Sequence, residues 1–433
     1  MLNTAGLDLA NTPPIGLSLR FFLAAPLFAL AAGVLLATGA ETALLSRWTP
    51  TALATTHLLL LGFITPIMCG ALLQILPVLV GVRSTVTAQA GAAMVIMLGL
   101  GAALLSSGLG LGHNGLLLAG AVLAAAVLLA FVFNIVYALF ASPGSSPVRW
   151  TLTLAVSALA VTVMFGLLLV GSRSGWLNLA AGKAWTDIHL AWGLAGWMGL
   201  LLAGIAGELI PMFYLSPPPP TWLKRGLPMA IIGLLVLWPM TALLSGNGLL
   251  SVAITMGILL LLGGFAVTSF VSQWRRRRPR HDPSLGFWWL GQSAILMAAA
   301  AWLLDEPETL IGVLAIIGSG MSFTTGTLFK IVPFLSWYHL QTCKVKLRRT
   351  DIKLPTMQGF IGDRIAGWQL AIHSSALLFL SLGTWLQTPT IRVGGLLLAG
   401  SALLLWFSLA RAWWRYRRIR RQLLSGNTKA AIR

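Results

Sequence analysis

Runs of about 20 apolar residues follow one another almost without a break along these 433 residues, and each is long enough to cross the hydrocarbon core of a bilayer. They predict twelve spans, at 17–40, 52–81, 88–110, 115–140, 150–170, 187–214, 227–245, 249–272, 286–304, 309–338, 365–386 and 391–414. Continuous apolar runs exclude a barrel, whose strands alternate. The spans are therefore helices, which satisfy their own backbone polar groups where no water can. With 57% hydrophobic and only 9% charged residues, the chain reads as a single all-α integral membrane domain over 1–433.

A formal net charge of +19 would suit nucleic acid, but the placement of the charge excludes that partner. Of the 29 Lys and Arg residues, 22 fall in the loops after even-numbered spans or in the basic tail 415–433, and Arg411 stands at the same end of the last span. The loops after odd-numbered spans hold Arg47, Arg173, Lys183 and Arg392, with the acidic trio Asp305, Glu306 and Glu308. This positive-inside bias predicts a membrane protein with both termini cytoplasmic, whose first partner is the lipid bilayer. Runs such as Arg275–Arg278 and Arg411–Arg421 then serve as topology anchors beside anionic lipid. The first apolar stretch lacks the basic leader and small-residue cleavage site of a signal peptide. Cys69 and Cys343 fall too far apart in this reading to pair.

Spans two, six and ten share a pattern when aligned on a proline. The residues are Gly62, Gly70, Gln74 and Pro77; Gly196, Gly204, Glu208 and Pro211; and Gly318, Gly326, Lys330 and Pro333, or G-x7-G-x3-[QEK]-x2-P each time. A pattern that returns every fourth span predicts an internal repeat over approximately 17–140, 150–272 and 286–414. Four spans are an even number, so the repeats enter the membrane in parallel and are related by a pseudo-threefold axis along the membrane normal. Spans two, six and ten lie innermost in this arrangement, their glycines allowing close approach and their prolines bending or ending the helices.

Histidines in a membrane are costly and call for a reason. His57 and His189 lie 20 and 22 positions before the motif prolines of spans two and six, a height difference of about 3 Å at 1.5 Å per residue. Two imidazoles at one depth can share one iron. The alternative is a pair of interfacial residues bonded to water or carbonyls. His373, deeper in span eleven, is the other candidate for second ligand. His113, His281 and His339 fall in loops or at span ends. Gln74, Glu208 and Lys330 occupy one repeat position near the inner interface, and either form a polar ring with Glu208 and Lys330 paired, or bond separately at the membrane edge. Trp192 and Trp197 stand close to His189, as porphyrin neighbours or as packing.

Twelve spans in three arcs, with a second span opening on His57 and closing in Pro77 and Gly81, resemble the haem-copper oxidase subunit I superfamily. His57, Gly62, Phe63, Gly70, Leu73 and Pro77 also look like the H-x4-GF-x6-G-x2-L-x3-P run of the NnrS family. The oxidase resemblance implies a haem ligand at His57 only. The oxidase copper ligands in spans six and seven and the paired histidines of span ten have no counterparts here, which argues against copper and oxygen reduction and leaves a single b-type haem. The resemblances imply a non-oxidase role in nitric oxide or respiratory metabolism, among respiratory or denitrification membrane proteins. Two other functions fit the sequence: a small-solute transporter using Gln74, Glu208 and Lys330, and a cofactor-free assembly protein. The chain carries no complete catalytic centre of the oxidase kind.

Overall fold

The computed structural model describes residues 13–39, 42–81, 85–141, 146–179, 182–244, 248–277 and 282–430. His281 and Arg278 lie outside them. The described residues are helical with short connections and no strand. Twelve helices are long and apolar enough to cross a membrane: α1 (Ile15–Thr38), α2 (Pro50–Val80), α3 (Ala88–Leu111), α4 (Asn114–Ala141), α5 (Pro147–Arg173), α6 (Gly182–Tyr214), α7 (Thr221–Leu244), α8 (Leu249–Trp274), α9 (Pro283–Leu303), α10 (Glu308–Lys346), α11 (Asp363–Leu386) and α12 (Thr390–Ala430). The architecture is that of a multi-pass membrane protein. An even number of crossings places both ends of the chain on one face, here the termini face, and the starts of α2, α6 and α10 on the far face.

Start signals account for many of these boundaries. Thr49 caps α2 by accepting from the Ala52 amide, and Ser146 and Asp282 do the same for α5 and α9, each followed by a proline that needs no donor of its own. Of the most apolar stretch of each helix, 89% is buried in α2, 56% in α6 and 72% in α10, against at most 50% in the other nine, so these three form the centre. The outer helices close around them. α4 packs on α5, α8 on α9, and α12 on α1.

Each central helix contains one wide, π-helical stretch: Leu58–Ile64, Trp192–Gly199 and Leu314–Met321. Each begins four residues before the first motif glycine. A Cβ on Gly62 would fall 2.5 Å from the Phe28 ring of α1, one on Gly196 2.9 Å from Ala158 of α5, and one on Gly318 2.7 Å from Ala294 of α9. The second glycines, Gly70, Gly204 and Gly326, meet Phe21, Thr151 and Phe287 of the same three helices at 2.8, 2.9 and 2.8 Å. The glycines are thus spaced eight apart on the inner helix and their partners seven apart on the outer one. Two packed α-helices climb together over seven residues, about two turns. The eighth residue is the one a wide turn inserts.

Beyond the first glycine by two positions, Ile64, Met198 and Gly320 meet where the three central helices converge. A Cβ on Gly320 would lie 2.7 Å from Ile64 Cδ1 and 2.8 Å from Met198 Sδ. Near the termini face the prolines behave unequally. α2 and α6 stop three residues after Pro77 and Pro211, with Gly81 (φ 72°) and Leu215 (φ 53°) in the left-handed conformation, whereas α10 runs on past Pro333 to Lys346. The stretch expected as a tail from 415 instead continues α12 as far as Ala430. Arg415 donating to the Gly359 carbonyl and Arg349 to the Leu423 carbonyl hold that extension against the 347–362 connection.

The ring closes where α1 and α12 touch backbone to backbone. A Cβ on Gly395 would lie 2.6 Å from the Ala37 nitrogen and 2.7 Å from the Gly33 oxygen, whereas Gly400 on the same helix faces open space. Neither backbone atom can yield as a side chain tip would. Gly395→Ala is expected to destabilise the protein by about 1–3 kcal/mol through overpacking, and Gly400→Ala to be neutral or to gain up to about 1 kcal/mol of helix propensity. Thermal midpoints of the two variants in mild detergent check the contrast.

Candidate metal centre

His57 and His189 are each the eighth residue of their helices, so both stand about 10 Å along from the far face. Their ring centres lie 6.5 Å apart, with the ring planes inclined by 18°. His57 Nδ1 lies 2.8 Å from the Leu53 carbonyl, and His189 Nδ1 lies 3.0 Å from the Thr162 carbonyl of α5. A carbonyl only accepts, so each Nδ1 carries the ring proton and donates it. In the neutral imidazole that leaves Nε2 bare on both rings, which is the form a metal ligand takes.

The separation bears on what the pair can hold. A metal set between two imidazole nitrogens at about 2.0–2.1 Å from each, with roughly 1.2 Å from nitrogen to ring centre, puts the centres about 6.4 Å apart. The observed 6.5 Å matches that span. Among the described residues no group of three His, Cys, Asp or Glu side chains converges as a metal site would. Gly166 of α5 makes the room: a Cβ there would stand 3.1 Å from His189 Cε1. Phe165, its neighbour in sequence, packs against Trp185 with ring centres 5.9 Å apart. Two buried donors close to the pair in sequence, Thr55 Oγ1 and Trp192 Nε1, have no hydrogen-bond partner, while Trp197 Nε1 is used in a 3.3 Å bond to Thr65 Oγ1 that joins α6 to α2.

His373 is placed differently. Its Nε2 lies 3.2 Å from the carbonyl of Ile317, in the wide turn of α10, and 3.1 Å from Ser322 Oγ. The carbonyl requires the proton on Nε2, the reverse of the tautomer at His57 and His189. The structure brings His57 and His189 together, and uses His373 to satisfy a carbonyl in the third central helix. His113 accepts from the Leu116 amide at the start of α4, a capping role.

Gln74, Glu208 and Lys330 share a level but bond separately. Gln74 accepts from Ser18 of α1 at 3.0 Å, Glu208 pairs with Lys224 of α7 at 3.0 Å, and Lys330 pairs with Asp282 at the start of α9. Glu208 is not paired with Lys330, because each has a nearer opposite charge on a neighbouring outer helix. The Asp282 carboxylate also accepts from Ser284 Oγ at 2.7 Å, and that hydroxyl meets Tyr214 of α6 at 2.9 Å.

An ionic cluster on the far face was not foreseen from the sequence. Arg47 Nη1 lies 2.5 Å from Asp187 Oδ1 and its Nε 2.8 Å from Glu308 Oε2, while Lys183 Nζ lies 3.2 Å from Glu308 Oε1. The loop before α2 is thereby tied to the starts of α6 and α10, and Asp187 is two residues from His189. The sequence places Arg47, Lys183 and Glu308 in loops on one face, but nothing in it pairs them. No protein-family model and no curated protein matches the chain.

Arg47 is only 17% exposed, but Glu308 is 49% exposed, so solvent screens part of the cluster. Arg47→Gln is expected to cost about 1–2 kcal/mol, between the values for surface and buried pairs. Glu308→Gln should cost less, and comparison of their thermal midpoints at low and high salt checks the order.

Proposed function

We propose that this chain is a haem-binding membrane protein in which His57 and His189 hold one b-type haem iron between them. Carrying the reading is the pair of imidazoles with centres 6.5 Å apart, each fixed by its Nδ1 so that Nε2 is bare. Its site lies toward the far face, which the positive-inside bias makes the periplasmic side of a bacterial inner membrane. The architecture we infer is that of haem-copper oxidase subunit I, three parallel four-helix repeats about a pseudo-threefold axis. Supporting it are the wide turns, the matched glycine contacts on α1, α5 and α9, and the ring closed through α4–α5, α8–α9 and α12–α1.

A haem held there supplies one-electron redox chemistry. The chain's own residues do the positioning. Leu53 and Thr162 orient the imidazoles, Gly166 leaves space for the His189 ring, and the Arg47 cluster fastens the helix starts that bear the two ligands. The role that fits a site with no third donor side chain is ligand sensing, electron transfer or support of respiratory metalloenzymes, with nitric oxide metabolism as the setting the NnrS resemblance implies. A solute path through Gln74, Glu208 and Lys330 is less well supported, since each is already bonded elsewhere.

Optical spectra of protein purified in mild detergent after expression with ample haem, oxidised and dithionite-reduced, test the proposal with metal analysis of the same sample. The reduced protein is expected to show a sharp α band of b-type haem, with iron and polypeptide in equal amounts. His57→Ala and His189→Ala should lose it, and His373→Ala should keep it. A featureless wild-type spectrum, or normally expressed His57→Ala and His189→Ala variants with full haem content, overturns the assignment.

A further inference from the structure

The start of α1 and the extension of α12 enclose a groove of about 500 Å³ on the termini face, remote from the histidine pair. We propose that it binds the headgroup of an anionic glycerophospholipid. Arg20, Arg417, Arg420 and Arg421 line it together with Leu19 and Leu23. Among the described residues none of these four guanidinium groups has a carboxylate within ion-pairing distance. Arg20 donates to the Ala88 carbonyl, leaving further donors on its fork.

The position of the groove matches where a headgroup lies. α12 begins at Thr390 on the far face, and about 20 residues at 1.5 Å each carry it through the hydrocarbon core, so Arg417–Arg421 emerge into the headgroup layer. Leu19 and Leu23 offer an apolar wall beside these cations, as a molecule with a phosphate and acyl chains requires. The site is also rigid. Arg415 and Arg349 pin the extension from its other side, and Trp413 stacks on Tyr416 at 5.4 Å while the Arg417 guanidinium lies over Trp413 at 5.7 Å. Guanidinium forks bind phosphate oxygens in pairs, which a solvated lysine does not match. A free phosphate would satisfy the arginines but leave the leucine wall unused.

Delipidated protein in an uncharged detergent is titrated with phosphatidylglycerol, phosphatidylcholine of the same acyl chains, and inorganic phosphate, reading the thermal midpoint and the lipid retained in native mass spectrometry. Phosphatidylglycerol is expected to raise the midpoint and remain bound, and the other two are not. The R417Q/R420Q/R421Q variant should bind it roughly a hundredfold more weakly, since each arginine near a lipid surface contributes about fivefold. Substitution of the other basic run, R275Q/R276Q/R277Q, should leave binding unchanged. Equal binding of phosphatidylcholine, a phosphate effect as large as the lipid's, or undiminished affinity in the triple variant overturns the proposal. If the triple variant does not fold, R420Q alone replaces it, with affinity expected about fivefold weaker, and unchanged affinity there overturns the proposal equally.

Discussion

Everything in this bundle depends on how closely the central helices approach the first helix of each group. In lipid no hydrophobic force draws one apolar helix to another, so association rests on van der Waals contact, and contact on the absence of side chains at the crossing points. The paired glycines of α2, α6 and α10 supply that absence twice each. Once α1, α5 and α9 are seated, the remaining helices need only fill the perimeter. Positions that converge at the centre, Ile64, Met198 and Gly320, then differ in size without disturbing the arrangement, because the glycine leaves room for the isoleucine and methionine.

Hydropathy located all twelve helices, since a crossing helix declares itself over some twenty residues. Its boundaries were missed where tertiary contacts extend a helix beyond the membrane, as at Lys346 and in α12 after residue 414. The glycine pattern common to α2, α6 and α10 was legible, but its eight-residue spacing held a further message. Seven would have kept both glycines on one face of an α-helix, and the extra residue signals a wide turn. Only the partner spacing on α1, α5 and α9 makes that reading unambiguous, and those partners, Phe, Ala and Thr among them, share no residue type a sequence pattern could capture.

At the site, equal depth along two helices made His57 and His189 a candidate pair, with His373 as the other candidate partner. What the sequence could not supply was rotation about each helix axis, and hence that the two rings come within 6.5 Å while His373 serves the Ile317 carbonyl. Of the two arrangements the sequence left open for Gln74, Glu208 and Lys330, a paired ring or separate bonds, the structure has the separate bonds. Each of the three meets a partner on a neighbouring outer helix, Ser18 of α1 for Gln74, Lys224 of α7 for Glu208 and Asp282 at the start of α9 for Lys330. The charges that do gather, Arg47 with Asp187, Glu308 and Lys183, occupy unrelated positions in the pattern and meet only because the far ends of the central helices converge.

The contact of Gly33 with Gly395 gives the bundle no free edge. α12 meets α1 as α4 meets α5 and α8 meets α9, and both termini lie on the face where those other two junctions are made by short connections. The break in the polypeptide between α12 and α1 is therefore arbitrary with respect to packing. A circularly permuted chain opened between α4 and α5, its old ends joined, would carry the same set of helix contacts in a different genetic order.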